Sequence, residues 1–288
     1  MELGYAELFV DLKPSVTADF FIDPPSDADR DIRSSHDFLY HSKRKATVEK
    51  VHEALGQHIA YAAEILARQH RVFLFSISLS GSRARFLRWD RAGCVVSEAF
   101  DVYENPEILC EFLWRFSQTS HVGRGHDMTV QPTGLDQERM FRRAIEDHVR
   151  FQLQVDGDQL ENAISQHYVK GRAFIVRVFA QEAPLGEVTI DEFIVSRPVA
   201  SPLYIAGRGT KGYCAVHAAS GRVVFLKDIW CDSFAFTESE GEVLRTMKGV
   251  GVRYIPIVEC HGFVADGLEE ANVVTACESE LLFPLFHL

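Results

Sequence analysis

The chain of 288 residues is long enough for one large or two modest domains with a real core, and its 47% hydrophobic and 25% charged residues are ordinary for a globular protein. A formal net charge of −11 argues against nonspecific binding to nucleic acid or to an anionic membrane, both of which require a basic face. The opening MELGYAELFVDLK has no basic segment leading into a long apolar core, and no apolar run approaches the ~20 residues of a membrane helix, so neither a secretory signal nor a membrane span is expected.

Residues 1–43 read as poorly ordered or peripheral, with a short apolar knot at Phe20, Phe21 and Ile22 broken by Pro24 and Pro25. Residues 45–70 read as a helix, because Val48, Val51, Leu55, Ile59, Ala62, Ile65 and Leu66 recur at steps of three and four and so share one face. An antiparallel meander follows: strands over Arg71–Leu79, Arg83–Trp89 and Cys94–Phe100, with turns at Gly81 and at Asp90–Gly93. Asn105 and Pro106 open a second helix carrying Ile108, Leu109, Phe112, Leu113 and Phe116. Residues 119–134 read as a loop, 135–153 as a helix with Met140, Ile145 and Val149 inward, and 173–180 with 188–195 as a strand pair around an Ala-Pro-Leu-Gly turn.

Beyond Pro202 the residues suggest phosphate chemistry. Gly207-Arg208-Gly209-Thr210-Lys211-Gly212 is a G-x-G-x-x-G loop, and glycine is the residue that lets a backbone approach phosphate closely. In dinucleotide-binding proteins such a loop opens a helix. Here it leads through Tyr213–Val216 and a Ser220-Gly221 turn into a second strand, Val223-Val224-Phe225-Leu226, that ends in Lys227. A loop between antiparallel strands with a lysine on the next strand is the kinase arrangement, in which the lysine reaches back to the phosphates. A buried lysine needs a counter-charge. The acidic segment that follows offers Glu240, one turn before Leu244, with Glu238 and Glu242 as rivals. The plain alternatives are a solvated strand-end lysine and an acidic first helical turn favoured by the helix dipole.

The clamp, its continuation VGVRYIPIVECHGFV, and the earlier stretches FLFSISLSGSRARFLRWDRAGCVVSEAFD and EFLWRFSQTSHVGRGHD together resemble the fungal-type protein kinase family over roughly residues 45–265. The resemblance implies an α+β fold: an N-terminal α+β region over 44–160, then a kinase small lobe over 161–288 built from an antiparallel sheet and one helix. It also implies ATP and Mg²⁺ as ligands. Carried onto this chain, Gly207, Gly209 and Gly212 cover the phosphates, Lys227 binds them and Glu240 holds Lys227.

Three departures qualify that picture. Phosphoryl transfer needs one aspartate near the attacking hydroxyl and another on Mg²⁺, and neither an HRDxxxxN nor a DFG segment follows Lys227 before Leu288. The expectation is therefore a truncated member, incompetent by itself. Phe225 stands where kinases carry a small alanine facing the adenine pocket, so its ring should occupy or narrow that pocket. Cys214 replaces the usual apolar valine, and the tail from Glu280 to Phe286 is strongly apolar.

The six cysteines (Cys94, Cys110, Cys214, Cys231, Cys260 and Cys277) form no CxxC pair and suit reduced thiols of a cytoplasmic or nuclear protein. Cys260-His261 reads as a structural thiol beside a histidine, Asp90 and Glu98 as a solvated hairpin, and Trp89 and Trp114 as core or interface anchors. No metal-ligand set stands out. The rival function is a noncatalytic module that uses the open side of the small lobe to bind a protein partner. Neither nucleic acid nor membrane is expected as a partner, and the residues do not fix an oligomeric state.

Overall fold

A computed structural model describes residues 3–40, 45–181, 188–202, 204–207, 209–230 and 240–264. The 183–186 turn, Glu238, Cys231, Cys277 and the apolar tail lie outside the described residues. The fold is α+β, and the chain divides into two compact units. The first runs to His126 and takes in Pro202–Gly207; the second holds Asp127–Ser201 and the described residues from Gly209 onward.

In the first unit, β1 (Phe9–Lys13), α1 (Arg30–Ser34) and α2 (Lys45–Arg68) precede the meander β2 (Phe73–Ser80), β3 (Arg83–Asp90), β4 (Gly93–Val96) and β5 (Phe100–Asp101). The sheet order is β1-β2-β3-β4, with β5 also on β3, and β1 joins β2 in parallel. The stripe of α2 buries Val51, Leu55, Ala62 and Ile65 against Leu74, Leu87 and Trp89 of the sheet. Each such large aliphatic side chain contributes about 1.5–3 kcal/mol of transfer free energy. Asp90 is no solvated hairpin residue. It is 2% exposed, accepts from the Ala92 and Gly93 amides at 2.9 and 3.2 Å and from Arg88 at 2.8 Å, and so builds the β3–β4 turn, while Glu98 pairs with Arg33 instead.

The opening segment differs most from expectation. Residues 3–40 are built into this unit: Phe9, Phe20 and Phe21 are core, and Arg85, 1% exposed, donates from Nε to both oxygens of Asp19 at 3.1 and 3.0 Å and from Nη1 to the Ser97 carbonyl at 3.1 Å. Arg85 Nη1 also pairs with Asp23. These contacts hold the stretch around Pro24 and Pro25 by long-range pairing that no local pattern announces.

The helix α3 (Pro106–Gln118) forms as its Pro106 start suggests, yet none of its residues is fully buried. Phe112 stacks on Phe86 at 4.2 Å and Phe116 meets Phe75 edge-on, whereas Leu113 and Trp114 face solvent, so Trp114 is no core anchor. Its C-terminal carbonyls are capped by Arg124, which donates to Phe116 O at 3.1 Å and Ser117 O at 2.7 Å. Gly125 follows in the left-handed region (φ 88°), with the Phe73 carbonyl oxygen 2.1 Å from where a Cβ would stand. The glycine of the RGHD stretch thus serves a close backbone approach.

The second unit starts within the segment read as a loop: β6 (Val130–Pro132) pairs with β7. Then come α4 (Leu135–Leu153), α5 (Gly157–Ile164), β7 (Phe174–Gln181), β8 (Val188–Val195), β9 (Lys211–His217), β10 (Val223–Asp228), α6 (Glu240–Gly249) and β11 (Phe263–Val264). The sheet is antiparallel throughout, in the order β10-β9-β8-β7-β11. Phe141, Ile145, Val149, Leu160 and Ile164 of α4 and α5 pack on one face with Ile194 and Val216; Val176, Phe193, Val195, Tyr213 and Ala215 line the other. This packing moves the division between units to His126/Asp127, away from 160/161, because α4 and α5 bury their apolar faces on the second sheet.

Candidate functional site

The candidate site rests on the β9–β10 hairpin. The turn is closed by Gly221 (φ 70°), with the His217 amide donating to Arg222 O at 2.9 Å and Gly221 N to His217 O at 2.8 Å. That turn sets the register: Val223 opposite Val216, Phe225 opposite Cys214, Lys227 opposite Gly212. With a period of two, Val223, Phe225 and Lys227 therefore lie on one face, the face that α4 and α5 cover at its hairpin end. Val224 and Leu226 point into the opposite core.

At the open end of β10, Lys227 Nζ donates to Glu240 Oε2 at the first residue of α6. The side chains are 41% and 53% exposed, so this is a surface ion pair and not the buried one expected of a clamp. Such pairs contribute roughly 0–1 kcal/mol. Glu242 falls two residues further along α6, and Glu238 lies outside the described residues. The first turn of α6 is fixed by a close packing contact: a Cβ on Gly241 would stand 2.3 Å from Cγ of His261.

The three loop glycines are not equivalent. Gly207 (φ 97°) belongs to the first unit; Gly209 (φ 52°) and Gly212 belong to the second. Gly207 and Gly209 take up the left-handed backbone that glycine tolerates. Gly212 differs, because Cζ of Phe225 would lie 2.6 Å from a Cβ there and the exposed ring would have to swing aside. The Phe225 ring thus lies over the last loop glycine, on the face that carries Lys227, while remaining 64% exposed. Upstream of the loop, β8 pairs antiparallel with β9, and an isolated bridge joins Ala200 to Gly212, with Val199 N donating to Gly212 O at 2.8 Å.

Neighbouring chemistry is muted. Burial pushes the Cys214 thiol up, and burial with the adjacent Asp191 carboxylate pushes Cys260 up to about 11, so both stay thiols at neutral pH. Among the described residues, no group of three or more His, Cys, Asp or Glu side chains is placed to hold a metal ion. Two surface grooves lie elsewhere in this unit, one between α4 and the hairpin turn (Met140, Arg143, Ala144, Arg222) and one along α6 (Leu244, Arg245, Lys248, Pro256). No helix among the described residues is long and apolar enough to cross a membrane.

A buried polar chain in the first unit escaped the sequence reading: Asp11, His58 and Ser76, linked by hydrogen bonds. The signal was present, since His58 lies three residues after Leu55 and four before Ala62, inside the apolar stripe of α2.

Comparison with curated proteins and with solved structures returns no match. The family model described as fungal protein kinase matches residues 26–283, which spans most of both units and the whole β9–β10–α6 region. On that match the chain belongs to the fungal protein kinase family.

Proposed function

We propose that this chain is a kinase-like protein that does not transfer phosphate by itself and holds Mg·ATP no more tightly than about the millimolar range. The observation that carries this reading is the Phe225 ring over Gly212, on the face of Lys227. In the kinase arrangement the lysine, its glutamate partner and the glycine loop together cradle the phosphates, and the base lies beyond the loop against a small residue. Here Lys227 and Glu240 meet, and the Phe225 ring over the last loop glycine supports the reading that the place of the base is obstructed. The residues therefore fit the phosphate end of a nucleotide and not its base. With no HRD or DFG aspartate among its residues after Lys227, the chain also lacks the positioning and metal electrostatics that supply most of the catalysis in this reaction.

The purified chain, given Mg·ATP and a mixed Ser/Thr substrate protein, should transfer no phosphate above a Lys227→Met control. Transfer that disappears in that control would overturn the proposal.

A second reading, a protein-interaction module on the open side of the small lobe, is favoured by one observation. Val250, Tyr254 and Ile257, following α6, are 76%, 101% and 71% exposed, with Met247 and Val252 beside them in sequence. Exposed apolar runs of this kind mark contact surfaces. Substituting Val250, Tyr254 and Ile257 by serine should leave folding intact and abolish any association seen by sedimentation; unchanged association would remove this reading.

A further inference from the structure

The helix α4 carries more apolar side chains than the sheet beneath it buries. Phe141, Ile145 and Val149 are buried in the core. Met140, Ala144 and Phe151 stand at i, i+4 and i+11, on a second face. Met140 and Ala144 are half-buried at the margin of that core together with Val223 of β10, and Phe151 is 73% exposed. Between this second face and the turn of the β9–β10 hairpin runs a groove of about 820 Å³, a volume in the range that holds a ligand. The residues that line it all belong to the second unit.

Three arginines stand along the groove, Arg139 and Arg143 from α4 and Arg222 from the hairpin turn, with Asp136 and Asp147 beside them. Arg139 pairs with Asp136 at 3.1 Å, and Arg222 pairs with Glu259. The side chains of both pairs are half or more in water, so another carboxylate can replace either partner at little cost. Asp147 lies 3.9 Å from Arg150 Nη1. Elsewhere on α4, Arg142 meets Glu146 at 3.2 Å and Glu161 at 2.8 Å, and Arg150 meets Glu146 at 2.9 Å. Among the described residues, Arg143 is the one arginine of α4 that pairs with no carboxylate. A chain of net charge −11 thus sets an unmatched guanidinium beside an apolar floor.

This chemistry selects the occupant. The floor takes an aromatic or aliphatic side chain, and the planar guanidinium forks take carboxylates. A nucleic acid would need a longer track of cations than three arginines interrupted by Asp136 and Asp147. From Asp136 to Phe151 the helix axis runs about 22 Å, the length of about seven residues of extended chain. We propose that this groove is a docking site for an acidic segment of a partner protein. One apolar anchor of that segment sits on Met140, Ala144 and Val223, and the aspartates or glutamates around it pair with Arg143 and, by exchange, with Arg139 and Arg222. The site does not rest on the nucleotide reading, and it uses none of the exposed residues that follow α6.

A display library of random peptides of about twelve residues, selected on the full chain, should enrich sequences that place aspartate or glutamate around an aromatic or aliphatic residue. The strongest binder, labelled with fluorescein and followed by polarisation, should lose about tenfold or more in affinity between about 0.05 and 0.5 M NaCl. Arg143→Glu and Phe151→Ser alter exposed side chains and should leave the unfolding midpoint near wild type, yet each should weaken the peptide by about tenfold or more. The triple serine variant at Val250, Tyr254 and Ile257 should bind it as wild type does. Selection of sequences without that acidic and apolar pattern, or affinity unmoved by Arg143→Glu, would overturn the proposal. So would displacement of the peptide by a poly(dT) strand at equal charge concentration, which would give the groove to nucleic acid.

Discussion

The two units each set a cation against carboxylates, and they do so under opposite conditions. Arg85 in the first is 1% exposed and satisfied by Asp19, Asp23 and the Ser97 carbonyl; Lys227 in the second pairs with Glu240, with both side chains about half in water. Burial decides what each is for. A desolvated arginine with several acceptors fixes the path of the opening segment and cannot lose a partner cheaply. A solvated lysine–glutamate pair costs little to open, which suits a group that would have to exchange its partner for a ligand. Of the two pairings, the first therefore carries the stability.

The comparison breaks most visibly at Arg85. Arg85→Met leaves the buried Asp19 carboxylate without its cation and should cost about 3–5 kcal/mol in urea unfolding of the first unit, with Arg85→Met/Asp19→Leu recovering much of the loss. A loss below about 1 kcal/mol would place this network among the surface pairs.

Acid should separate the units next. The folded pKa of His58 is lowered by burial, against an ordinary value of 6.5, so the unfolded chain takes up a proton that the folded one refuses. Stability from this group is complete above about pH 6.5 and falls as pH drops below it, by at most about 1.4 kcal/mol per pH unit. His58→Phe in the Asp11→Asn background should flatten that part of the unfolding profile. Glu7, lowered on balance by His126 and Arg71 despite burial, adds a loss that begins lower, as pH falls through the carboxylate range.

Smaller effects belong to the hairpin. Gly212→Ala sets a methyl 2.6 Å from the tip of the Phe225 ring, but that ring is exposed and can swing, so the cost should stay near 1 kcal/mol and shrink in a Phe225→Ala background. A cost unchanged in that background would mean the ring does not rest on Gly212. The smallest effect is expected of Lys227→Met and Glu240→Gln, within about 0.5 kcal/mol of wild type and weaker still at high salt.

What could be read from the residues follows the range of the forces involved. The helices α2 and α4 and the strands β2, β3 and β8 show clear local periodicity or composition, and the expected spans match the observed elements closely. β1 was missed because a parallel edge strand takes its register from β2, more than sixty residues on, and has no hairpin to announce it. β6 and α5 were missed because three residues and a helix with two buried side chains carry too little pattern. At the site, Lys227 and Glu240 were legible as neighbours because a hairpin register and a following helix bring them together locally. That their pair is half-exposed was not legible because it depends on how the start of α6 meets the end of β10, and that the Phe225 ring lies over Gly212 was not because it is a diagonal contact across strands.

We propose above all that Phe225 stands in the way of a nucleotide base beside the Lys227–Glu240 pair. The most direct test of that proposal is thermal unfolding of wild type and Phe225→Ala, each with and without about 0.1 mM Mg·ATP, well below the millimolar range, since a ligand bound only by the folded state must raise the midpoint. The account predicts no shift for wild type and a rise of several degrees for Phe225→Ala that is lost again on adding Lys227→Met. A clear rise in the wild type, or none in Phe225→Ala, would contradict it.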